Sequence, residues 1–312
     1  MSRAFVFPGQ GAQTVGMGRD LADAYPVAKA VFDEVDDALG EKLSALIWDG
    51  DIETLTLTAN AQPALMATSL AAFRALEAEG VTISAASFVA GHSLGEYSAL
   101  AAAGALTVSD CARLLRTRGK AMQEATPVGT GAMAAILGLD LDAVREVADV
   151  AAQGDVCQAA NDNDPAQVVV SGDKAAVERA VEIAKEKGAK RALLLPVSAP
   201  FHSALMAPAA EVMKSALAEV AISAPAVPVV ANVRAEAVND PETIRQLLVE
   251  QVTGSVRWRE SVQWMAAQGV TEAWEIGAGK ALSGMIKRID RSVATLAVGT
   301  PADVTAAAEA LA

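Results

Sequence analysis

Apolar positions in this chain come in two alternating forms. Short, nearly unbroken apolar runs read as buried strands, and longer stretches with apolar residues every three or four positions read as helices. Residues 4–7 predict a first strand that ends at Pro8-Gly9-Gln10-Gly11. A helical pattern follows over 18–39, interrupted by Pro26, and a second over 62–79, with Pro63 suited to its first turn. Residues 87–90 predict a strand and 94–103 a helix that stops near Gly104. A further helix is expected over 109–124, with Ser109-Asp110 at its start. Strands alternating with helices favour a parallel sheet covered on both faces.

The middle of the chain changes character. Strand patterns at 131–139, 156–160, 167–171 and 191–195 are interleaved with helical patterns at 141–152 and 174–187. Asn161-Asp162-Asn163-Asp164-Pro165 reads as the turn between the second and third of these strands. The order β-α-β-β-α-β is that of a ferredoxin-like unit. The parallel pattern then resumes at 227–231, 273–276 and 295–298. The expected fold is therefore α/β: a parallel-sheet core from residues 1–126 and 197–312, with a ferredoxin-like subdomain inserted at 127–196.

Composition narrows the function classes. The 312 residues are 52% hydrophobic, enough for a large core. No uncharged run reaches the roughly 18 apolar residues that a membrane span needs, and Met1-Ser2-Arg3-Ala4-Phe5 lacks the apolar stretch of a secretory signal. Cys111 and Cys157 form no C-x-x-C pair, so a reduced, cytoplasmic setting is expected. A net charge of −13 argues against a nucleic-acid binder and against attraction to anionic lipid. Local basic clusters remain, Lys187-Lys190-Arg191 and Lys280-Lys287-Arg288-Arg291, which as isolated features read as solvated helix ends.

Chemistry concentrates at Gly91-His92-Ser93-Leu94-Gly95, a G-x-S-x-G between a predicted strand and a predicted helix. In that context the serine occupies a sharp corner with its hydroxyl pushed outward. The N–H groups and dipole of the following helix favour negative charge beside it. A serine hydroxyl needs a neighbour to take its proton. The chain has two histidines. His92 adjoins Ser93 and points to the opposite side of an extended segment, which leaves His202, in Phe201-His202-Ser203, as the base. No carboxylate stands out to orient the imidazole; Asp240 and Glu250 have nothing to recommend them over solvated roles, and the orienting group stays unassigned. The loop 8–13 opens on the same sheet edge as Ser93 and can hold a second oxyanion donor, though it also reads as a plain turn.

Other chemistries fail. Thr14 stands where a dinucleotide loop needs its third glycine, and neither Gly119-Lys120 nor Gly279-Lys280 completes a phosphate loop. Two histidines and two scattered cysteines give no metal-ligand cluster. On the helix 109–124, Arg113 and Arg116 fit a solvated face, while Arg118 points among Leu114, Leu115 and Met122. An arginine directed inward needs an anion, either a protein carboxylate or one carried by the substrate. Serine and base alone serve water and thiol acceptors equally, so hydrolysis and transfer both stay open.

Phe7-Pro8-Gly9-Gln10-Gly11-Ala12-Gln13, Gly91-His92-Ser93-Leu94-Gly95-Glu96-Tyr97, Arg118-Gly119-Lys120-Ala121-Met122-Gln123 and Phe201-His202-Ser203 occur in that order. With Val227-Pro228-Val229-Val230-Ala231-Asn232 and Glu275-Ile276-Gly277-Ala278-Gly279-Lys280, they make the chain resemble, nearly end to end, the bacterial malonyl-CoA:acyl carrier protein transacylases of fatty acid synthesis. The resemblance implies an α/β-hydrolase-like core with the ferredoxin-like insert, and an acyltransferase that moves malonyl from malonyl-CoA to acyl carrier protein with no bound cofactor. It implies that Ser93 carries the malonyl ester and His202 is base and then acid. It implies an oxyanion hole from the backbone N–H groups of Gln10 and Leu94, and Arg118 on the malonyl carboxylate. Gln251 would orient His202 through its backbone carbonyl, and Asn161 would line the substrate cleft. The family often has Ser at Ala12 and Gln near Arg257, differences that leave the chemistry untouched. A monomer is expected, and an acidic carrier would need one of the two basic clusters to dock.

Overall fold

The computed structural model describes residues 2–197 and 199–311. Among them are ten strands: β1 (Ser2–Phe7), β2 (Phe88–Gly91), β3 (Gly131–Leu137), β4 (Cys157–Asp164), β5 (Gln167–Asp173), β6 (Arg191–Leu194), β7 (Val229–Ala231), β8 (Glu236–Val238), β9 (Val270–Ile276) and β10 (Ala294–Val298). They form two sheets. The larger has the order β10-β9-β1-β2-β7-β8 and is parallel apart from the β7–β8 hairpin at one edge.

Strand β1 is apolar throughout because both of its faces are covered, as in parallel sheets generally. Phe5 and Phe7 turn to one face, into a core built on the helices Pro26–Leu39, Thr58–Ala78 and Val108–Glu124. Ala4 and Val6 turn to the other, against Trp258, Val262, Leu282 and Ile286 from the helices Trp258–Ala267 and Ala281–Ile289. The register Phe7↔Gly91 brings the carboxyl end of β1 level with that of β2. The loops that follow these two strands therefore meet at one edge.

The smaller sheet is antiparallel, in the order β4-β5-β3-β6. Taken with the helices Leu141–Ala152 and Lys174–Glu186 it has the βαββαβ sequence of a ferredoxin-like unit. The two-residue period of β3 divides its side chains: Ala134 and Ile136 pack under these helices, whereas Met133 and Ala135 join the main core.

Four local expectations are corrected. The helix expected from 62 runs Thr58–Ala78, so Pro63 is internal to it. Pro63 has no N–H for the Ala59 carbonyl, and Arg116 Nη1 donates to that oxygen at 2.7 Å instead. Arg116 is accordingly not on a solvated face; its side chain is 12% exposed and also bonds Asn60 and Glu41. The helix expected from 109 begins at Val108, and its N-cap is Thr107, which accepts from the Asp110 N–H. Of the run 161–165 only Pro165 lies in the turn, with Ala166; β4 continues through Asp164, with Asn161 to Asp164 all buried.

Candidate active site

The chain leaves β2 through a bend that only glycine permits on either side of Ser93. A Cβ on Gly91 would lie 1.9 Å from the Gly95 carbonyl carbon, and one on Gly95 would lie 2.2 Å from the Phe7 oxygen. Ser93 itself has a φ of 53°, in the left-handed region, a conformation that costs a non-glycine residue about 1–2 kcal/mol. Asn232, just past β7, brackets the bend. Its Oδ1 accepts the Ser93 N–H at 2.8 Å and its Nδ2 donates to the Gly91 carbonyl at 2.6 Å.

His202 meets this corner from the segment after β6. It too has a positive φ, 55°, and Ser203 Oγ donates to the Pro200 carbonyl at 2.8 Å across the same turn. His202 Nε2 lies 2.8 Å from Ser93 Oγ. Its Nδ1 faces two backbone carbonyls, Gln251 at 2.9 Å and Gly254 at 3.1 Å. Carbonyls only accept, so the ring proton sits on Nδ1 and Nε2 is left to accept the Ser93 hydroxyl proton. Burial lowers the pKa of His202 to about 3, and the Arg118 charge acts the same way. The imidazole is therefore neutral near pH 7.

Arg118 is 1% exposed. Its Nη1 donates to Gln62 Oε1 at 2.8 Å; its Nη2 donates to Gln251 Oε1 at 3.0 Å and to Ser93 Oγ at 3.1 Å. Among the described residues no carboxylate forms an ion pair with it. Its direct hydrogen-bond partners are thus uncharged, and the buried Glu96 carboxyl acts on the guanidinium only from behind Gln251.

Gln10, Ser93, Leu94, Arg118, Asn161 and His202 line one cavity of about 420 Å³, walled by Met133, Leu195 and Phe201. Among the described residues neither the Gln10 nor the Leu94 N–H has a protein acceptor. Asn161 is 7% exposed and sits where β4 bridges in parallel to Val256. Gln251 is buried behind the pair. His92 turns away from Ser93, to Asn163 Oδ1 at 2.8 Å.

The residues that sequence reasoning left without roles are those behind the site: Glu96, Asn232, Gln62 and Asn163. Glu96 and Asn232 stand inside recognisable runs, but nothing in those runs says that they hold each other. Glu96 Oε2 accepts the Asn232 N–H and a Gln251 Nε2 hydrogen, both at 2.9 Å. Burial raises the Glu96 pKa to about 7 against these contacts. Of the basic clusters, Lys187 pairs with Glu146 and Arg288 with Asp164, each at 2.7 Å. Arg257 is tied to Glu260 and to the Val233 and Arg234 carbonyls. No group of three or more histidines, cysteines or acidic residues among the described residues is placed to hold a metal ion.

A serine on a strand-to-helix elbow, a neutral histidine within hydrogen-bond reach and an inward cation define a site for acyl chemistry. The chain belongs to the acyl transferase domain family, which matches residues 4–298. It is 50% identical, over 99% of its length and 96% of the relative's, to the malonyl CoA-acyl carrier protein transacylase of Bacillus subtilis. The crystal structure of an acyl-carrier-protein S-malonyltransferase from Bartonella henselae superposes with a TM-score of 0.98 at 55% identity, covering 100% of this chain and 99% of that one. A malonyl-transacylase solved in complex with its type II PKS acyl-carrier protein gives a TM-score of 0.96 at 45% identity, covering 99% and 100%.

Proposed function

We propose that this chain transfers a malonyl group from malonyl-CoA to the phosphopantetheine thiol of an acyl carrier protein through an ester on Ser93. The single observation that carries the reading is Ser93 Oγ standing 2.8 Å from His202 Nε2 and 3.1 Å from Arg118 Nη2. A nucleophile, its base and a cation able to hold a carboxylate meet at one atom.

Ser93 Oγ attacks the thioester carbonyl as His202 Nε2 takes its proton. The carbonyl oxygen becomes an oxyanion, held by the backbone N–H groups of Gln10 and Leu94; one such donor is worth about 3 kcal/mol of barrier. The C–S bond breaks and His202 returns the proton to the leaving CoA sulfur. The Nδ1–H bonds to the Gln251 and Gly254 carbonyls keep the ring in one tautomer and stabilise the imidazolium while it lasts. Arg118 grips the malonyl carboxylate with its planar fork. The carrier thiol then gives its proton to His202 and attacks the ester, and the same steps run in reverse. Malonyl-CoA and the carrier are substrates, and the steps draw only on this chain's own groups. Met133 and Phe201, both nearly inaccessible to solvent, and Asn161 line the cleft beside the ester.

Residues 127–196 are read as an inserted subdomain that closes the cleft against the core, 1–126 and 197–312. One chain supplies every group, so a monomer suffices. Both cysteines are free thiols, which fits a cytoplasmic enzyme; no helix of the described residues is long and apolar enough to cross a membrane. Intact-mass measurement after mixing with malonyl-CoA, with and without carrier, tests the reading. The expected result is a malonylated protein that carrier discharges into malonyl-carrier. Free malonate as the main product, with no malonyl-carrier, would make the chain a hydrolase.

A further inference from the structure

Gln251 has two jobs that depend on different atoms. Its backbone carbonyl faces His202, and its side-chain amide faces Arg118 with Oε1. An amide can turn over, and turned over it would aim Nε2 hydrogens at a guanidinium that has only donors to offer. What holds it the right way round is the far side of the amide, where Nε2 donates to Glu96 Oε2 at 2.9 Å, to the Ser93 carbonyl at 3.1 Å and, longer, to Asn232 Oδ1 at 3.3 Å. Glu96 is the shortest of these contacts and the only ionisable one. It is 2% exposed, and its Oε2 is itself aimed by the Asn232 N–H. Glu96 also supplies charge of the right sign near Arg118 without occupying the guanidinium.

We propose that Glu96 is a positioning residue for acyl selection: its carboxylate fixes the Gln251 amide so that the amide oxygen anchors Arg118 with its remaining donors open to a substrate carboxylate. The inference rests on the proposed malonyl transfer. Substitution at Glu96 therefore changes which acyl group is loaded more than it changes the nucleophile. In Glu96→Leu the ionisable acceptor is gone and Arg118 loses its fixed anchor. In Glu96→Gln a carbonyl oxygen can still accept from both Asn232 and Gln251.

Three rates on the purified full chain test this: kcat/KM for malonyl-CoA loading, kcat/KM for acetyl-CoA loading, and phosphonylation of Ser93 by an uncharged fluorophosphonate, which needs the elbow and His202 but no carboxylate clamp. In Glu96→Leu the malonyl-to-acetyl ratio is expected to fall roughly ten- to hundred-fold, the worth of one charge-assisted hydrogen bond, with phosphonylation within about threefold of the parent. Glu96→Gln is expected to recover most of the ratio. Because the effect runs through one side chain, Glu96→Leu should lower the ratio little further in a Gln251→Met background. An unchanged ratio in Glu96→Leu overturns the proposal. So does a parallel fall of all three rates, a ratio in Glu96→Gln as low as in Glu96→Leu, or additive losses in the double variant. Failure of the unsubstituted chain to load malonyl at all would instead sink the transferase reading.

Discussion

Replacing Arg118 by alanine separates recognition of the acyl group from the chemistry done on it. The guanidinium is buried and bonded to two amide oxygens and to Ser93 Oγ, with no protein carboxylate paired to it. A malonyl carboxylate entering this cavity is matched by the one full charge of Arg118, itself only 1% exposed. Removing that charge leaves the carboxylate buried and uncompensated, which costs about 3–5 kcal/mol. The malonyl kcat/KM is then expected to fall by roughly 10²- to 10⁴-fold. Acetyl-CoA brings no carboxylate. It loses only the contact from Nη2 to Ser93 Oγ, and loading should fall by no more than about tenfold, the net worth of one such hydrogen bond. Arg118→Lys should recover only part of the malonyl loss, because an ammonium lacks the planar fork that meets both carboxylate oxygens. The assay is single-turnover acylation of Ser93 followed by intact mass, with each donor in turn. Equal losses for malonyl and acetyl would refute the selectivity role and reduce Arg118 to a support for the nucleophile.

Ser93→Ala should take up no label from radioactive malonyl-CoA; ester-type label that persists would place the nucleophile elsewhere. The depressed pKa of His202, about 3 against 6.5 when unfolded, makes its contribution to stability complete above pH 6.5 and progressively lost as pH falls towards 3. Burial lowers the His92 pKa too, whereas Glu96, raised to about 7, acts in the opposite sense between pH 4.5 and 7. A comparison of denaturant midpoints with His202→Gln cancels both. Between about pH 7.5 and 5.5 the stability of the parent should drop relative to His202→Gln by about 1.4 kcal/mol, and a constant difference would mean that His202 is not held neutral. Arg116→Ala leaves the Ala59 carbonyl, deprived of its helical donor by Pro63, without its Arg116 bond. A loss of about 1–3 kcal/mol is expected in urea unfolding, whereas a change below about 0.5 kcal/mol would mark Arg116 as an ordinary surface residue.

What could be read from the chain follows from how far apart the interacting groups lie. The elbow is legible because its cause is local: two glycines, a serine and a change of hydrophobic period within a few residues. His202 is legible for a different reason, scarcity, since only one histidine other than Ser93's own neighbour exists. The group that orients it leaves no side-chain signature at all. Backbone carbonyls of Gln251 and Gly254 fill that place, and any residue type has a carbonyl, so a search for a third acid had nothing to find; only resemblance to a family pointed to Gln251. The run from Asn161 to Asp164 shows the converse. Its composition favours a turn because asparagine and aspartate readily bond their own backbone. The chain instead extends it as a strand, because Asp162 finds Arg259, Asp164 finds Arg288 and Asn163 finds His92. Each partner lies at least 71 residues away in sequence. Pro63 repeats the pattern, tolerated inside a helix because Arg116 serves the carbonyl that it abandons. Local preference is overruled in these two stretches because a distant polar group completes the hydrogen bonding, and both, β4 through Asn161 and the helix carrying Gln62, line the cavity beside Ser93.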